Sequence, residues 1–205
     1  MSAQLEEANR RIQVCIDKGL RALHLTALEL RELPPLLLKA THLHTLGLTD
    51  NLLAHLPPEI AQLSQLRVLE LGGNQLQHLP EEIGHLSSLR MLVVRDNQLE
   101  SLPNAIGDCQ GLMMLEARNN RISALPDSLT TLPKLRELYL AHNRLPTLPA
   151  GFGRLKGISK LDVSHNQLSE LPNEIEDWPR LRMLWLDANP IEEIPDSLQT
   201  KLQAS

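Results

Sequence analysis

The chain has 205 residues, of which 46 are leucine, 14 are proline and only four are aromatic, with 20 lysines and arginines against 25 aspartates and glutamates. That length fits one domain or one elongated array and argues against a two-domain enzyme. A net charge of −5 supplies no overall basic field for nucleic acid or an anionic bilayer, and no apolar run reaches 18 residues, so neither nucleic acid nor membrane is an expected partner.

Residues 3–18 place Leu5, Ala8, Ile12, Cys15 and Ile16 on one helical stripe, with Glu6, Arg10 and Asp17 off it and Gly19 following as a stop. The spacing predicts an amphipathic capping helix within residues 1–19. The leading MSAQLEEANRRIQ is polar and has no apolar core of a secretory signal. Cys15 and Cys109 are too few for a disulfide framework, so the expected compartment is the reducing cytoplasm.

From Leu20 onward the text repeats. Leu43, Leu66, Leu89, Leu112, Leu135, Ile158 and Leu181 follow it at a constant interval of 23, giving eight units over residues 20–203 and a tail at 204–205. Each unit reads L-x-x-L-x-L-x-x-N-x-L-x-x-L-P-x-x-I-x-x-L-x-x, as in LRVLELGGNQLQHLPEEIGHLSS at residues 66–88. Alternation in the first part predicts a strand in which Leu69 and Leu71 point inward while Val68, Glu70 and Gly72 point outward. Stacked about 4.8 Å apart as a parallel sheet, eight such strands extend roughly 35 to 40 Å.

The asparagines Asn51, Asn74, Asn97, Asn120, Asn143, Asn166 and Asn189 keep the same period. Their amides can both donate to and accept from backbone that turns inside the stack, predicting a ladder. The prolines Pro34, Pro57, Pro80, Pro103, Pro126, Pro149, Pro172 and Pro195 fix φ and lack an N–H, so the side away from the sheet is expected to be extended or short 3₁₀ segments. One unit cannot bury its own leucines, and stability comes from stacking. Unit one departs from the pattern, with Leu28 in place of asparagine and an extra apolar run at Leu36, Leu37 and Leu38, as suits a unit covered by a helix. At the far end Lys201 stands where several units have leucine, so Asp196 to Ser205 either closes the array with a short polar turn or is followed by further chain.

The pattern, over 184 of 205 residues, resembles the intracellular 23-residue leucine-rich repeat proteins of the Ras-suppressor, Scribble and plant intracellular Ras-group type and their bacterial relatives. A helix feeding directly into the repeats is also similar to the repeat arm of bacterial Roco GTPases. The resemblance implies an α/β repeat fold, a curved leucine-rich repeat solenoid with a parallel sheet on its concave face and short segments on its convex face. It implies a non-catalytic arc that binds another protein on the concave face, and it supplies no functional residues, because every matching position is structural.

Chemistry is sparse. No phosphate-loop, dinucleotide, zinc-protease, nucleophile-elbow or C-x-x-C motif is present. GFGRLKG at residues 151–157 looks like a phosphate loop, but Phe152 and Leu155 fall on repeat core positions. Cys109 replaces a core leucine and reads as a buried thiol. His142 with His165, and His55 with His78, share columns in adjacent units. Two imidazoles lack the three or four ligands of a firm metal site, with Asp162 the one obvious addition. Glu81 and Glu82 fall on outer turns as solubilising charge. No catalytic residue, cofactor or metal is expected.

Functional information is therefore confined to outward strand positions. An apolar group of Val68, Met91, Val93 and Met114 is expected at the centre of an exposed patch, flanked by Arg95, Arg118, Arg121 and Arg144 and interleaved with Glu70, Glu116 and Glu137. Methionine adapts to a partner surface. Tyr139 and Trp185 face outward and are residue types enriched at binding hot spots, whereas Phe152 and Trp178 sit on core positions. The expectation is a monomeric, non-enzymatic module that binds a protein or peptide through this face in intracellular signalling. The alternatives are the regulatory arm of a larger Roco-type GTPase or kinase and a bacterial effector engaging host proteins.

Overall fold

Three residues of each unit are extended: β1 (Ala22–His24), β2 (Thr45–Gly47), β3 (Val68–Glu70), β4 (Met91–Val93), β5 (Met114–Glu116), β6 (Glu137–Tyr139), β7 (Lys160–Asp162) and β8 (Met183–Trp185). The computed structural model describes residues 3–202, so Gln203 and the expected tail at 204–205 lie outside the described residues. The strands form one open parallel sheet in chain order. Pairing advances by one period per strand, with Leu23 opposite Leu46, Leu46 opposite Leu69, and so on to Leu161 opposite Leu184.

The return path is short because proline prevents anything longer. Single 3₁₀ turns occupy Pro35–Lys39, Pro58–Gln62, Glu81–His85, Asn104–Asp108, Asp127–Thr131, Phe152–Arg154 and Asn173–Asp177. Each closes through a bond from the next N–H back to the buried apolar residue, as Leu63 N–H donates to the Ile60 carbonyl at 3.0 Å. Between sheet and turns the leucine and isoleucine columns form a continuous core in which Leu46, Leu69, Leu92, Leu115, Leu138 and Leu161 are fully buried. Phe152 and Trp178 enter this core as the repeat predicts, their rings 5.7 Å apart, and the Trp178 indole donates to the Gly153 carbonyl at 2.9 Å.

The asparagine ladder is present in all seven units. The Asn120 amide donates to the carbonyls of Val94 (3.0 Å), Ala117 (3.1 Å) and Arg118 (3.1 Å), while its oxygen accepts from Leu99 N–H at 2.9 Å. Each asparagine thus bonds its own turn and the turn of the preceding unit. Unit one, which lacks the residue, is served by Asn51, whose oxygen accepts from both Leu28 N–H (3.1 Å) and Leu30 N–H (3.0 Å). The residue before each asparagine adopts positive φ, a column of Asp50, Gly73, Asp96, Asn119, His142, His165 and Ala188 that the sequence pattern did not single out. Short polar side chains and glycine tolerate that conformation best.

Helix α1 (Ala3–Lys18) buries Ala8, Ile12 and Cys15 against β1 and the Pro35–Lys39 turn, with Leu5 and Ile16 packed beside them. It ends at Gly19, φ +59°, where Leu20 N–H reaches the Cys15 carbonyl and Gly19 N–H the Ile16 carbonyl, the paired bonds of a left-handed helix stop. On its outer side, hydrogen bonds from Arg10 and then Arg11 hold the Glu7 carboxyl down at about 2. The other end is more than a polar turn. Helix α2 (Asp196–Gln199) buries Leu198, Leu184 N–H donates to the Lys201 carbonyl at 2.9 Å, and Leu202 bridges to Leu184. Lys201 contributes its backbone where leucine elsewhere contributes a side chain.

Asn120→Ala is expected to lower stability by about 1 to 3 kcal/mol, since a buried N–H and buried carbonyls lose their partner. Equilibrium urea denaturation checks it, and a variant within about 0.5 kcal/mol of the parent would remove the ladder as a structural element. Deleting residues 1–18 exposes the apolar side of unit one, including Leu28 and Leu37, so size-exclusion chromatography should show association or loss of soluble protein. A monomeric, equally soluble truncation would mean that α1 is not a cap.

Candidate functional site

Alternation along each strand sends one residue in and its two neighbours out, and the register aligns these neighbours into rows. The first row runs Ala22, Thr45, Val68, Met91, Met114, Glu137, Lys160, Met183, and the second His24, Gly47, Glu70, Val93, Glu116, Tyr139, Asp162, Trp185. Arg95 and Arg118 lie two residues beyond the ends of β4 and β5. The strand residues expected at the site therefore fall on one face, while Arg121 and Arg144 lie well past the ends of β5 and β6, and exposure also differs from expectation. Val68, Met91, Val93 and Met114 are half-buried rather than an exposed patch, because each lies against its neighbours one strand away. Among the described residues, the large apolar side chains that are exposed are Leu20, Met113 and Met183.

Glu116 and Arg118 are also placed differently. Glu116 is buried, and the Arg118 guanidinium grips it with two bonds, Nε to Oε1 at 2.9 Å and Nη2 to Oε2 at 2.6 Å. The same guanidinium lies 4.9 Å from the centre of the Tyr139 ring and 3.8 Å from Asp162, whose other oxygen accepts from the Ser164 hydroxyl at 2.7 Å. Tyr139 donates to Glu137 at 2.8 Å, and Lys160 pairs with Glu137 at 3.1 Å. Burial and then the bond to Glu137 push the Tyr139 hydroxyl well above the usual phenol range, and the bonds to Glu116 raise Arg118 further. Across β5, β6 and β7 the outward charges are thus locked to one another as a preorganised polar platform.

Several of the remaining candidates make contacts within the fold. His142 and His165 stack with ring centres 4.0 Å apart, and among the described residues no group of three histidine, cysteine or acidic side chains could hold a metal. Burial pushes the Cys109 thiol up to about 11, and it raises Cys15 as well; both thiols donate to carbonyls, of Ile83 and Leu20. Glu81 is more than solubilising charge: its carboxylate accepts from Asn104 N–H and Ala105 N–H, at 3.2 and 2.7 Å, and caps the next unit's 3₁₀ turn. The residue just before each strand forms a further column, Arg21, His44, Arg67, Arg90, Met113, Arg136, Ser159 and Arg182. It was legible in the 23-residue period, but it lies outside the strand positions to which alternation directs attention.

Two family models match the chain, a leucine-rich repeat region over residues 59–143 and single leucine-rich repeats over 134–155 and 157–178. No curated protein matches by sequence. Among solved structures, a leucine-rich repeat protein of Leptospira interrogans is 29% identical with a TM-score of 0.81, covering 96% of this chain and 56% of that one. YopM, a leucine-rich effector protein of Yersinia pestis, is 28% identical with a TM-score of 0.79 over 97% of this chain and 53% of its own. The plant peptide hormone receptor RGFR1, solved with RGF2, is 33% identical with a TM-score of 0.80 over 91% of this chain and 33% of the receptor. The chain therefore spans about half the length, or less, of these three neighbours. No helix among the described residues is long and apolar enough to cross a membrane.

Because Arg118 neutralises a buried carboxylate, Arg118→Ala should destabilise the fold by about 1 to 3 kcal/mol, through Glu116 losing charged hydrogen bonds. Arg95→Ala, which removes only an exposed pair with Asp96, should change stability by less than about 0.5 kcal/mol. Urea melts of the two variants side by side check this. Equal stabilities would place Arg118 on the rim and not in the scaffold.

Proposed function

Because the chain belongs to the leucine-rich repeat proteins, we propose that it is a non-catalytic interaction module that binds a protein or peptide on its sheet face, acting as a monomer in intracellular signalling. Residues 1–19 serve as a cap and 20–203 as the repeats. What supports the reading is the contrast between the two sides of one sheet. The inward rows repeat leucine, while the outward rows change character along the stack, from apolar Val68, Met91 and Met114 to charged Glu137 and Lys160. The receptor RGFR1, solved with RGF2, belongs to the same fold.

The partner surface of this reading combines Val68, Met91, Val93 and Met114 as an adaptable apolar strip with Glu70, Arg95 and the Glu116, Arg118, Glu137, Tyr139 platform, and with Trp185 at the last strand. A half-buried strip in register with a rigid charged platform offers orientation without a large ordering cost. A second reading, a bacterial effector engaging host proteins, has the likeness to YopM behind it and uses the same face.

The test is partner capture by immobilised protein, with bound chains identified by mass spectrometry. Met91→Glu combined with Met114→Glu should lower capture by about tenfold or more, since carboxylates placed in an apolar contact cost at least roughly 1.4 kcal/mol. Circular dichroism melts must first match the parent. A folded double variant with undiminished capture would move the site away from the centre of the sheet.

A further inference from the structure

The chain is acidic as a whole, yet one edge of its sheet is not. In the segments leading into the eight strands, residues 20–22, 40–45, 63–68, 86–91, 109–114, 132–137, 155–160 and 178–183, lie nine of the 20 lysines and arginines and one of the 25 acids, Glu137. That acid is already taken by Lys160 and Tyr139. Backbone bonds hold the column in register, Arg90 N–H to the Arg67 carbonyl and Met113 N–H to the Arg90 carbonyl, both at 2.8 Å. Among the described residues, the guanidinium groups of Arg67, Arg90, Arg180 and Arg182 have no carboxylate partner, and all four side chains are exposed. Where β6, β7 and β8 begin, Arg136, Lys160, Arg180, Arg182 and Met183, with the paired Glu137, line a groove of about 600 Å³.

Resting on the sheet-face reading above, we propose that this edge receives an acidic, extended polypeptide segment that runs across the strand starts from Arg67 to the groove at Arg182. Charge complementarity selects the occupant: unpaired guanidinium groups in a row favour carboxylates, which they can grip with two bonds each. Exposed Met113 and Met183, beside half-buried Met91 and Met114, favour an occupant that also carries apolar side chains, which a sugar-phosphate backbone does not. The row from Arg67 to Arg182 crosses five strand intervals, about 24 Å at about 4.8 Å each, a length that an extended segment of about seven residues covers.

Fluorescence anisotropy with a labelled peptide that alternates glutamate and leucine tests this, against the lysine-for-glutamate version and a single-stranded DNA oligonucleotide of equal charge. The acidic peptide should bind at low salt, weaken as salt rises, and lose about tenfold or more in affinity with Arg180→Glu plus Arg182→Glu and with Arg67→Glu plus Arg90→Glu. Arg121→Glu plus Arg144→Glu, exposed residues beyond the other ends of the strands, should cost less than about twofold. Absence of binding by folded protein, equal loss at both edges, or DNA binding as tightly as the peptide would each overturn the proposal. Capture with the Met91→Glu, Met114→Glu variant, run in parallel, separates the two readings. If capture depends on the methionines but no acidic peptide binds, the face stands and the acidic occupant falls. If the peptide binds at the arginines but capture ignores the methionines, the edge stands and the central strip falls.

Discussion

Everything in this fold depends on what becomes of the backbone where each unit leaves the sheet. A three-residue strand flanked by a turn on the core side leaves N–H and C=O groups pointing into leucine, where an unpaired group costs as much as a lost hydrogen bond. One asparagine per unit resolves this by bonding backward as well as locally: Asn74 donates to the Leu48 carbonyl of the previous unit at 3.0 Å and to its own Leu71 carbonyl at 2.9 Å. No unit is therefore satisfied alone. The coupling is nearest-neighbour in character, as expected of a stacked array, and makes the first and last units the ones that need covering by something other than a repeat.

The same constraint decides what the rest of the turn can be. To bring the asparagine amide under the preceding turn, the residue before it swings into left-handed φ, between 51° and 65° in every unit. Aspartate, asparagine and glycine fill several of these places, and two are filled by His142 and His165. Their stacked rings follow from the backbone, which sets consecutive units one strand apart, and not from a shared ligand. Asp162, the residue best placed in the sequence to join them, is instead committed to Ser164 and Arg118.

The columns of leucine, asparagine and proline were legible because a period of 23 maps sequence directly onto depth within the stack. Phe152, Trp178 and Cys109 could be assigned to the core on that basis alone, and they are there. What the period does not carry is lateral packing on the solvent side. Alternation says that Met91 and Met114 point outward, but not that side chains one strand away half-cover them. Nor could it show that Arg118 turns back two residues along its own strand end to hold Glu116, or that Glu81 caps a turn one unit later. These contacts are set by side-chain conformations across units, and residue types at fixed spacing do not specify them.

Net charge misleads in such a molecule for a related reason. A solenoid sorts residues by column, so a charge that recurs at one position of the repeat becomes a stripe, and the average over the chain describes no part of the surface. The 3₁₀ turns carry Glu59, Glu81, Glu82, Asp127, Glu174 and Glu176, while the strand entrances carry the arginines. The two fall at different positions of the repeat and so form separate columns. Within the stripe Arg67 and Arg90 stand one strand apart, about 4.8 Å, while Met113 and Ser159 set Arg90 from Arg136, and Arg136 from Arg182, by two strand spacings. The strand entrances therefore carry their own sign, which the average over the chain hides.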